Sequence, residues 1–297
     1  MASKEHTGVT LLLNSVSEIL TQFDVAVLDQ YGVLHNGVEA YPNADSALRV
    51  LANAGVSMVV VSNSGKRADF NRQRIASRGL TADLITSVVT SGEILWEDFA
   101  QETVLSGPGP WKLLSINGAA GDAEAWRAEL TSLIFVEEVS EADAVVLMGL
   151  PDGDSFDEFT PMLRAAYQRR LPVICSNPDR RSPAPGQFVR SPGNVAAMYE
   201  DMGGTVLWYG KPYPRIYEAV RSQFPEVSRD RFLMVGDSVE HDVQGAQGAG
   251  FRSLFVRNGI HLSDFEDIPD TEITTVIDSL STQYEVRPPD YSIAEFG

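Results

Sequence analysis

Several segments of this chain are apolar without interruption: "VAVLD" at 25–29, "SMVVVS" at 57–62, "DAVVLMGL" at 143–150 and "FLMVG" at 232–236. A strand with one wet face alternates apolar and polar residues. Unbroken runs need cover on both faces, the condition of a parallel sheet lying between helices. Helical spacing separates the first two runs, and Gly55 and Gly79 stand where helices following them would end. The fold class this predicts is α/β, a doubly wound parallel sheet with its site beyond the carboxyl ends of the strands.

The order of segments predicts two domains. "LLNSVSEILTQF" (12–23) spaces its apolar residues as a helix feeding the first strand. After "DLITSVVTS" the pattern loosens at the Gly- and Pro-rich "SGPGPWKLLSINGAAGDAEAW", then strands resume at "LIFVEEV", "DAVVLMGL" and "LPVICSN". Residues 92–190 therefore read as a second α/β unit inserted into a core made of 1–91 and 191–297. The strand "VLWYG" (206–210) is expected to rejoin the first sheet, and the terminal "RPPDYSIAEFG" to be extended, either packed on the surface or frayed.

With 23 Lys plus Arg against 41 Asp plus Glu, the net charge is -18. Such acidity opposes binding to nucleic acid or an anionic membrane, which needs clustered cations. The lone Cys175 cannot form an internal disulfide, "MASKEHTGVTLLLN" is too short in apolar residues for a secretory signal, and no run nears the roughly 20 residues that cross a bilayer. A cytoplasmic location is expected.

Four predicted strands end in residues able to do chemistry: Asp29; Ser62 with Asn63; Lys211; and Asp237, with Asp242 five residues on. One parallel sheet is expected to bring all four to a shared edge. Carboxylates meeting there repel unless a cation lies between them, and Mg²⁺ is the usual ion beside a phosphate. Ser62 and Lys211 would face the anionic oxygens of a substrate, and Asp29 would attack phosphorus.

This arrangement closely resembles the haloacid dehalogenase superfamily of hydrolases, whose four motifs match "VAVLDQYGVL", "VVVSN", "GKP" and "VGDSVEHD". An insertion between the second and third motifs, with "VTSGEIL", "SNPDRRSPAPG" and "GKPYPRIYEAV", resembles the class IIA branch of NagD and p-nitrophenyl phosphatase over residues 20–260. The resemblance implies Mg²⁺-dependent hydrolysis of a small phosphorylated metabolite through an aspartyl phosphate. It implies a cap domain that sets the substrate, and pairing through that cap as a homodimer is compatible with the branch. It assigns the metal to Asp29, Asp237, Asp242 and the backbone carbonyl of Tyr31, and it places Asn177, Pro178 and Asp179 on the cap segment, so that Asn63, Asn177 and Asp179 are the expected substrate-binding residues.

Tyr31 departs from the pattern. Phosphatases of the superfamily carry there a second aspartate, which protonates the leaving oxygen and then activates water. A phenol, ordinarily titrating near pH 10, is a poor base at neutral pH, and a positioned acid or base contributes about 10²- to 10⁴-fold. Slow turnover is expected, with His35 or Asp242 as substitutes to weigh. Tyrosine at this position also resembles the 2-haloacid dehalogenases, which makes carbon–halogen hydrolysis an alternative; the Asp237/Asp242 pair, "GVL" in place of "GTL" and the position of the insertion oppose it. A catalytically impaired protein that only binds a phosphorylated ligand is a third reading.

Other residues carry plainer readings. Arg67 reads as solvent-facing or phosphate-reaching, Asn63 as ordering the nucleophile loop, His241 as solvated, Trp208 and Tyr209 as strand packing, and Cys175 as a buried small hydrophobe. "SGPGPW" and "NGAAGD" lack the context of phosphate-binding loops and read as turns.

Overall fold

The computed structural model describes residues 8–151, 153, 155–184 and 187–297. Residues 1–7 of the N-terminal segment, and Pro185 and Gly186 of the "SNPDRRSPAPG" motif, lie outside the described residues.

The strands in chain order begin with β1 (Leu11–Leu13), β2 (Val25–Asp29), β3 (Ser57–Ser62) and β4 (Ser87–Thr90). Next come β5 (Trp111–Ile116), β6 (Leu133–Val136), β7 (Ala144–Leu147), β8 (Val173–Cys175), β9 (Arg181–Ala184) and β10 (Gln187–Arg190). The last four are β11 (Val206–Trp208), β12 (Phe232–Gly236), β13 (Arg252–Val256) and β14 (Tyr291–Ile293). They form a seven-stranded sheet, a five-stranded sheet and the antiparallel pair β9 and β10. The chain divides into two compact units.

The first unit comprises Met1–Ser62, Arg72–Val89 and Tyr217–Gly297. Its sheet runs in the order β1-β14-β13-β12-β2-β3-β4. The central strands β2 and β12 are parallel neighbours, with Leu28 opposite Val235, and β3 lies parallel on the other side of β2, with Val61 opposite Asp29. All of β2 and β12 is buried, as their unbroken apolar sequences require. The helix Ala44–Asn53 buries Ala44, Ala47, Leu48 and Leu51, one face at helical spacing. Burying each large side chain of this kind contributes about 1.5–3 kcal/mol. Gly55 and Gly79 follow their helices at φ 76° and 83°, left-handed values suited to glycine.

Both ends of this unit differ from the sequence-based expectation. The helix expected over 12–23 is instead strand β1 followed by two 3₁₀ turns, Val16–Glu18 and Leu20–Gln22. Ser15 caps the first turn in a reciprocal box with Glu18, which satisfies backbone donors locally and breaks the helical run at its start. The "YSI" of the C-terminal segment does not lie loose on the surface. It is β14, paired in parallel with both β1 and β13.

The second unit comprises Asn63–Asn71 and Thr90–Ile216. Its parallel sheet runs β11-β8-β7-β5-β6. Strand β11, which leads to Lys211, pairs with β8 here and does not rejoin the first sheet. The boundary expected after residue 190 is therefore too early, and only three of the four chemistry-bearing strand ends lie on the seven-stranded sheet. Periodicity located "VLW" as a strand, but partner choice depends on packing: the core of this unit joins Val173, Cys175, Val195 and Tyr199 with Val206 and Trp208 against them. No described helix is long and apolar enough to cross a membrane.

Candidate active site

Asp29 ends β2, and Asp237 follows directly on the adjacent β12. Asp242 returns to them through a π-helical turn, Val239–Val243, whose first residue follows Ser238, the side chain of which accepts the His241 N–H. A single widened turn of this sort re-aims a side chain that an α-helix would direct elsewhere. One oxygen from each of Asp29, Asp237 and Asp242 lies within 4.8 Å of the others. All three residues are buried, at 8%, 7% and 1% exposure.

Backbone donors hold each carboxylate. Gln30 N–H donates to Asp29 Oδ1 at 2.7 Å, Ile260 N–H to Asp237 Oδ2 at 2.7 Å, and Ser238 N–H to Asp242 Oδ2 at 3.0 Å. Glycines make room for two of them. A Cβ on Gly32, at φ 81°, would stand 1.9 Å from Asp237 Oδ2, and one on Gly236 would stand 2.1 Å from Asp242 Cγ. Three converging buried carboxylates repel one another, and a hard divalent cation with oxygen ligands fits this donor set.

The loop after β2 packs Tyr31 firmly. Its hydroxyl accepts from Arg74 Nη1 at 3.3 Å, its ring meets His35 edge-on at 4.6 Å between centroids, and a Cβ on Gly37 would fall 2.9 Å from Tyr31 Cε1. His35 is fully buried. Its Nδ1 accepts the Gly37 N–H at 3.0 Å, so the neutral ring carries its hydrogen on Nε2; the Gln30 amide 3.0 Å away accepts that hydrogen with its oxygen turned to the ring, the orientation that also gives the buried Gln30 Oε1 a partner. Burial, then the charges of Arg74 and Arg78, lower the His35 pKa to about 4. The ring is neutral near pH 7 and joins the residue after Asp29 to Gly37. Tyr41 is a neighbour that sequence reasoning missed: burial, and after it the charge of Asp237, raise its phenol.

Ser62 closes β3, one residue past Val61, the partner of Asp29, and is 5% exposed. The remaining sequence-derived residues belong to the second unit. Asn63 Nδ2 donates to Asp179 Oδ1 at 2.7 Å and to the Lys211 carbonyl at 3.2 Å, while Asn63 Oδ1 accepts the Lys211 N–H at 2.6 Å. Asn177 Oδ1 accepts the Asp179 N–H at 3.0 Å. The structure thus brings Asn63, Asn177, Asp179 and Lys211 into one hydrogen-bonded chain. Lys211 itself is 3% exposed.

Arg67 forks onto Glu93 at 2.7 and 2.8 Å and lies 3.9 Å over the Trp96 ring. Trp208 stacks on Tyr213 at 5.4 Å. Cys175 is buried, its thiol donates to the Asn177 carbonyl at 3.1 Å, and burial pushes its pKa up. Sequence reasoning missed Asp98, a buried carboxylate that receives Tyr209 Oη at 3.1 Å and the Arg215 guanidinium at 2.5 Å. Only its place in "EILWEDF", on a face otherwise apolar, could have marked it.

A family model described as haloacid dehalogenase-like hydrolase matches residues 26–108, and a second model of HAD-like hydrolases matches 208–282. Chronophin of Rattus norvegicus is 27% identical over 259 residues, covering 83% of this chain and 80% of its own. The 4-nitrophenylphosphatase of Schizosaccharomyces pombe is 24% identical over 285 residues, 88% of this chain and 92% of its own. A solved haloacid dehalogenase-like hydrolase from Brucella suis 1330 superposes with a TM-score of 0.79 at 27% identity, over 96% of this chain and 100% of that one. The two matched segments together span more than half of the chain, which belongs to the haloacid dehalogenase-like hydrolases.

Proposed function

We propose that this protein is a phosphatase that hydrolyses small phosphomonoesters with Mg²⁺ through an aspartyl phosphate on Asp29. The observation that carries the reading is the convergence of Asp29, Asp237 and Asp242 within 4.8 Å at the ends of β2 and β12. The name of the 4-nitrophenylphosphatase relative supports the substrate class.

Asp237, Asp242, Asp29 and the Tyr31 carbonyl are the residues that would hold the ion. When bound, it would offset the charge of the carboxylates and of the phosphoryl oxygens. Asp29, fixed by the Gln30 N–H, attacks phosphorus: an Asp29 O–P bond forms, the ester P–O bond breaks, and the departing oxygen takes a proton from water. Water then attacks phosphorus, which releases inorganic phosphate and regenerates the carboxylate. By their motifs, Ser62 and Lys211 take the phosphoryl oxygens, and Asn177 and Asp179 belong to the substrate-selecting cap segment. The Tyr31 phenol is packed on His35 and Gly37 and receives Arg74. Neither its chemistry nor its packing suits it to activate water, so hydrolysis of the phosphoenzyme limits turnover.

The test is a panel of phosphomonoesters and 2-haloacids incubated with Mg²⁺ or with chelator. Metal-dependent phosphate release that disappears in Asp29→Asn is the expected result. Metal-independent halide release would overturn the reading in favour of dehalogenation, and binding of a phosphorylated ligand without any product would overturn it in favour of a binding protein.

A further inference from the structure

We propose that Asn63 is a positioning residue for Lys211, and that Asp179 acts by holding the Asn63 amide in the one orientation that fits the lysine backbone. The proposal rests on the phosphatase reading for the role of Lys211, and it assigns Asn63 and Asp179 to the lysine instead of to direct contact with substrate.

A side-chain amide has one accepting and one donating end, and X-ray-scale geometry alone leaves them interchangeable. Here the partners remove that ambiguity. The Lys211 N–H can only donate, so Asn63 Oδ1 must face it, at 2.6 Å. The Lys211 carbonyl and the Asp179 carboxylate accept, so Nδ2 must face them, at 3.2 and 2.7 Å. Asn63 therefore grips both polar groups of the Lys211 backbone at once. It is 5% exposed, so no solvent stands ready to replace a lost partner.

The neighbours leave the grip little freedom. Asp179 is itself held, since its N–H donates to Asn177 Oδ1 and its carbonyl accepts the Gly193 N–H at 3.1 Å. A Cβ on Gly193 would stand 2.6 Å from that carbonyl oxygen. On the other side, a Cβ on Gly210 would stand 2.6 Å from Asn63 Oδ1 and 2.4 Å from Ser91 Oγ. The backbone entering Lys211 thus approaches Asn63 as closely as glycine permits. A displacement of roughly 1 Å at a group that must meet a transferring phosphoryl costs about 10²-fold in rate.

Exchange of the two amide and acid functions tests this. Asn63→Asp keeps an acceptor for the Lys211 N–H but sets an oxygen against the Asp179 carboxylate. Asp179→Asn lets a neutral amide turn its oxygen toward Asn63 Nδ2. In the double variant the donor comes from residue 179, and only the longest contact, to the Lys211 carbonyl, is lost. With p-nitrophenyl phosphate and Mg²⁺, kcat/KM is expected to fall about 10²-fold in Asn63→Asp, to fall about tenfold in Asp179→Asn, whose neutral amide holds Asn63 less firmly, and to recover at least tenfold over Asn63→Asp in the double variant. Recovery by the swap is a readout that a merely structural asparagine would not give.

A loss in Asp179→Asn as large as in Asn63→Asp, or a double variant no better than Asn63→Asp, overturns the proposal. Hydrogen exchange at the Lys211 amide separates this from failure of the phosphatase reading. If the wild-type protein releases no phosphate from any ester, the functional reading fails. The grip then stands if Lys211 protection is lost in Asn63→Asp and regained in the double variant, and falls if protection is the same in all of them.

Discussion

Gly32 lies so close to Asp237 that a single added carbon, at 1.9 Å from Oδ2, would occupy the carboxylate's own space. The glycine also sits at φ 81°, where a side chain is strained by about 1–3 kcal/mol. Gly32→Ala must therefore move Asp237 away from Asp29 and Asp242 or distort the loop that follows β2. We expect phosphate release to fall about 10²-fold, the cost of misplacing a group at the reacting centre by roughly 1 Å. Steady-state kinetics at saturating Mg²⁺ check it, and activity within threefold of the wild type would show that Asp237 need not hold its observed place.

Asp242 stands apart from strands β2 and β12, and its π-turn brings a third negative charge to the pair at the strand ends. Without a cation that charge opposes folding; with one it helps hold the ion. Asp242→Asn keeps an oxygen for the Ser238 N–H, so the turn survives. The Mg²⁺ concentration for half-maximal activity should rise about 10- to 100-fold, as for lost groups around a metal. In chelator the variant should melt higher than the wild type, while Mg²⁺ should stabilise it less. A melting scan in both conditions reads the two signs, and an unchanged response to Mg²⁺ would remove Asp242 from the metal site.

His35 makes stability depend on pH. Its folded-state pKa, about 4, lies below the ordinary 6.5, so the unfolded chain binds more protons between these values. The contribution is fully present above pH 6.5 and is lost as pH falls toward and through 4. It amounts to about 3 kcal/mol, at about 1.4 kcal/mol per tenfold change in proton affinity. Denaturant unfolding at pH 7.5, 5.5 and 4.5 should show this loss in the wild type, and a smaller one in His35→Gln. Equal slopes in both proteins would place the acid sensitivity elsewhere.

The strand ends of the first unit were legible because they rest on short-range rules. Unbroken apolar runs demand a sheet covered on both faces, and Asp29, Ser62 and Asp237 stand at the ends of such runs. Lys211 was legible as a residue but not in its place, since "VLW" pairs with β8 through contacts made far along the chain. The same holds at the ends: "YSI" gains its strand only by lying between β1 and β13. Asn63 shows a finer limit. Its neighbours in sequence suggest a role at the nucleophile, whereas its amide is spent on Asp179 and on the backbone of Lys211, 148 residues on.

Tyr31 offers the sharpest prediction about rate. Its hydroxyl receives Arg74 and its ring fills the space over Gly37, so the side chain serves the loop's packing. A phosphoenzyme on Asp29 that waits for unassisted water should accumulate, and rapid mixing with p-nitrophenyl phosphate should give a burst of p-nitrophenol followed by a slow steady rate. Tyr31→Asp supplies a carboxylate two residues after the nucleophile. It gives up the ring contacts with His35, at a stability cost of about 1–3 kcal/mol. If water activation is the missing element, the burst should vanish and the steady rate should rise by at least tenfold, toward the 10²- to 10⁴-fold range of a positioned base. A slower variant with its burst intact would mean that another group already activates water, and that Tyr31 is needed where it stands.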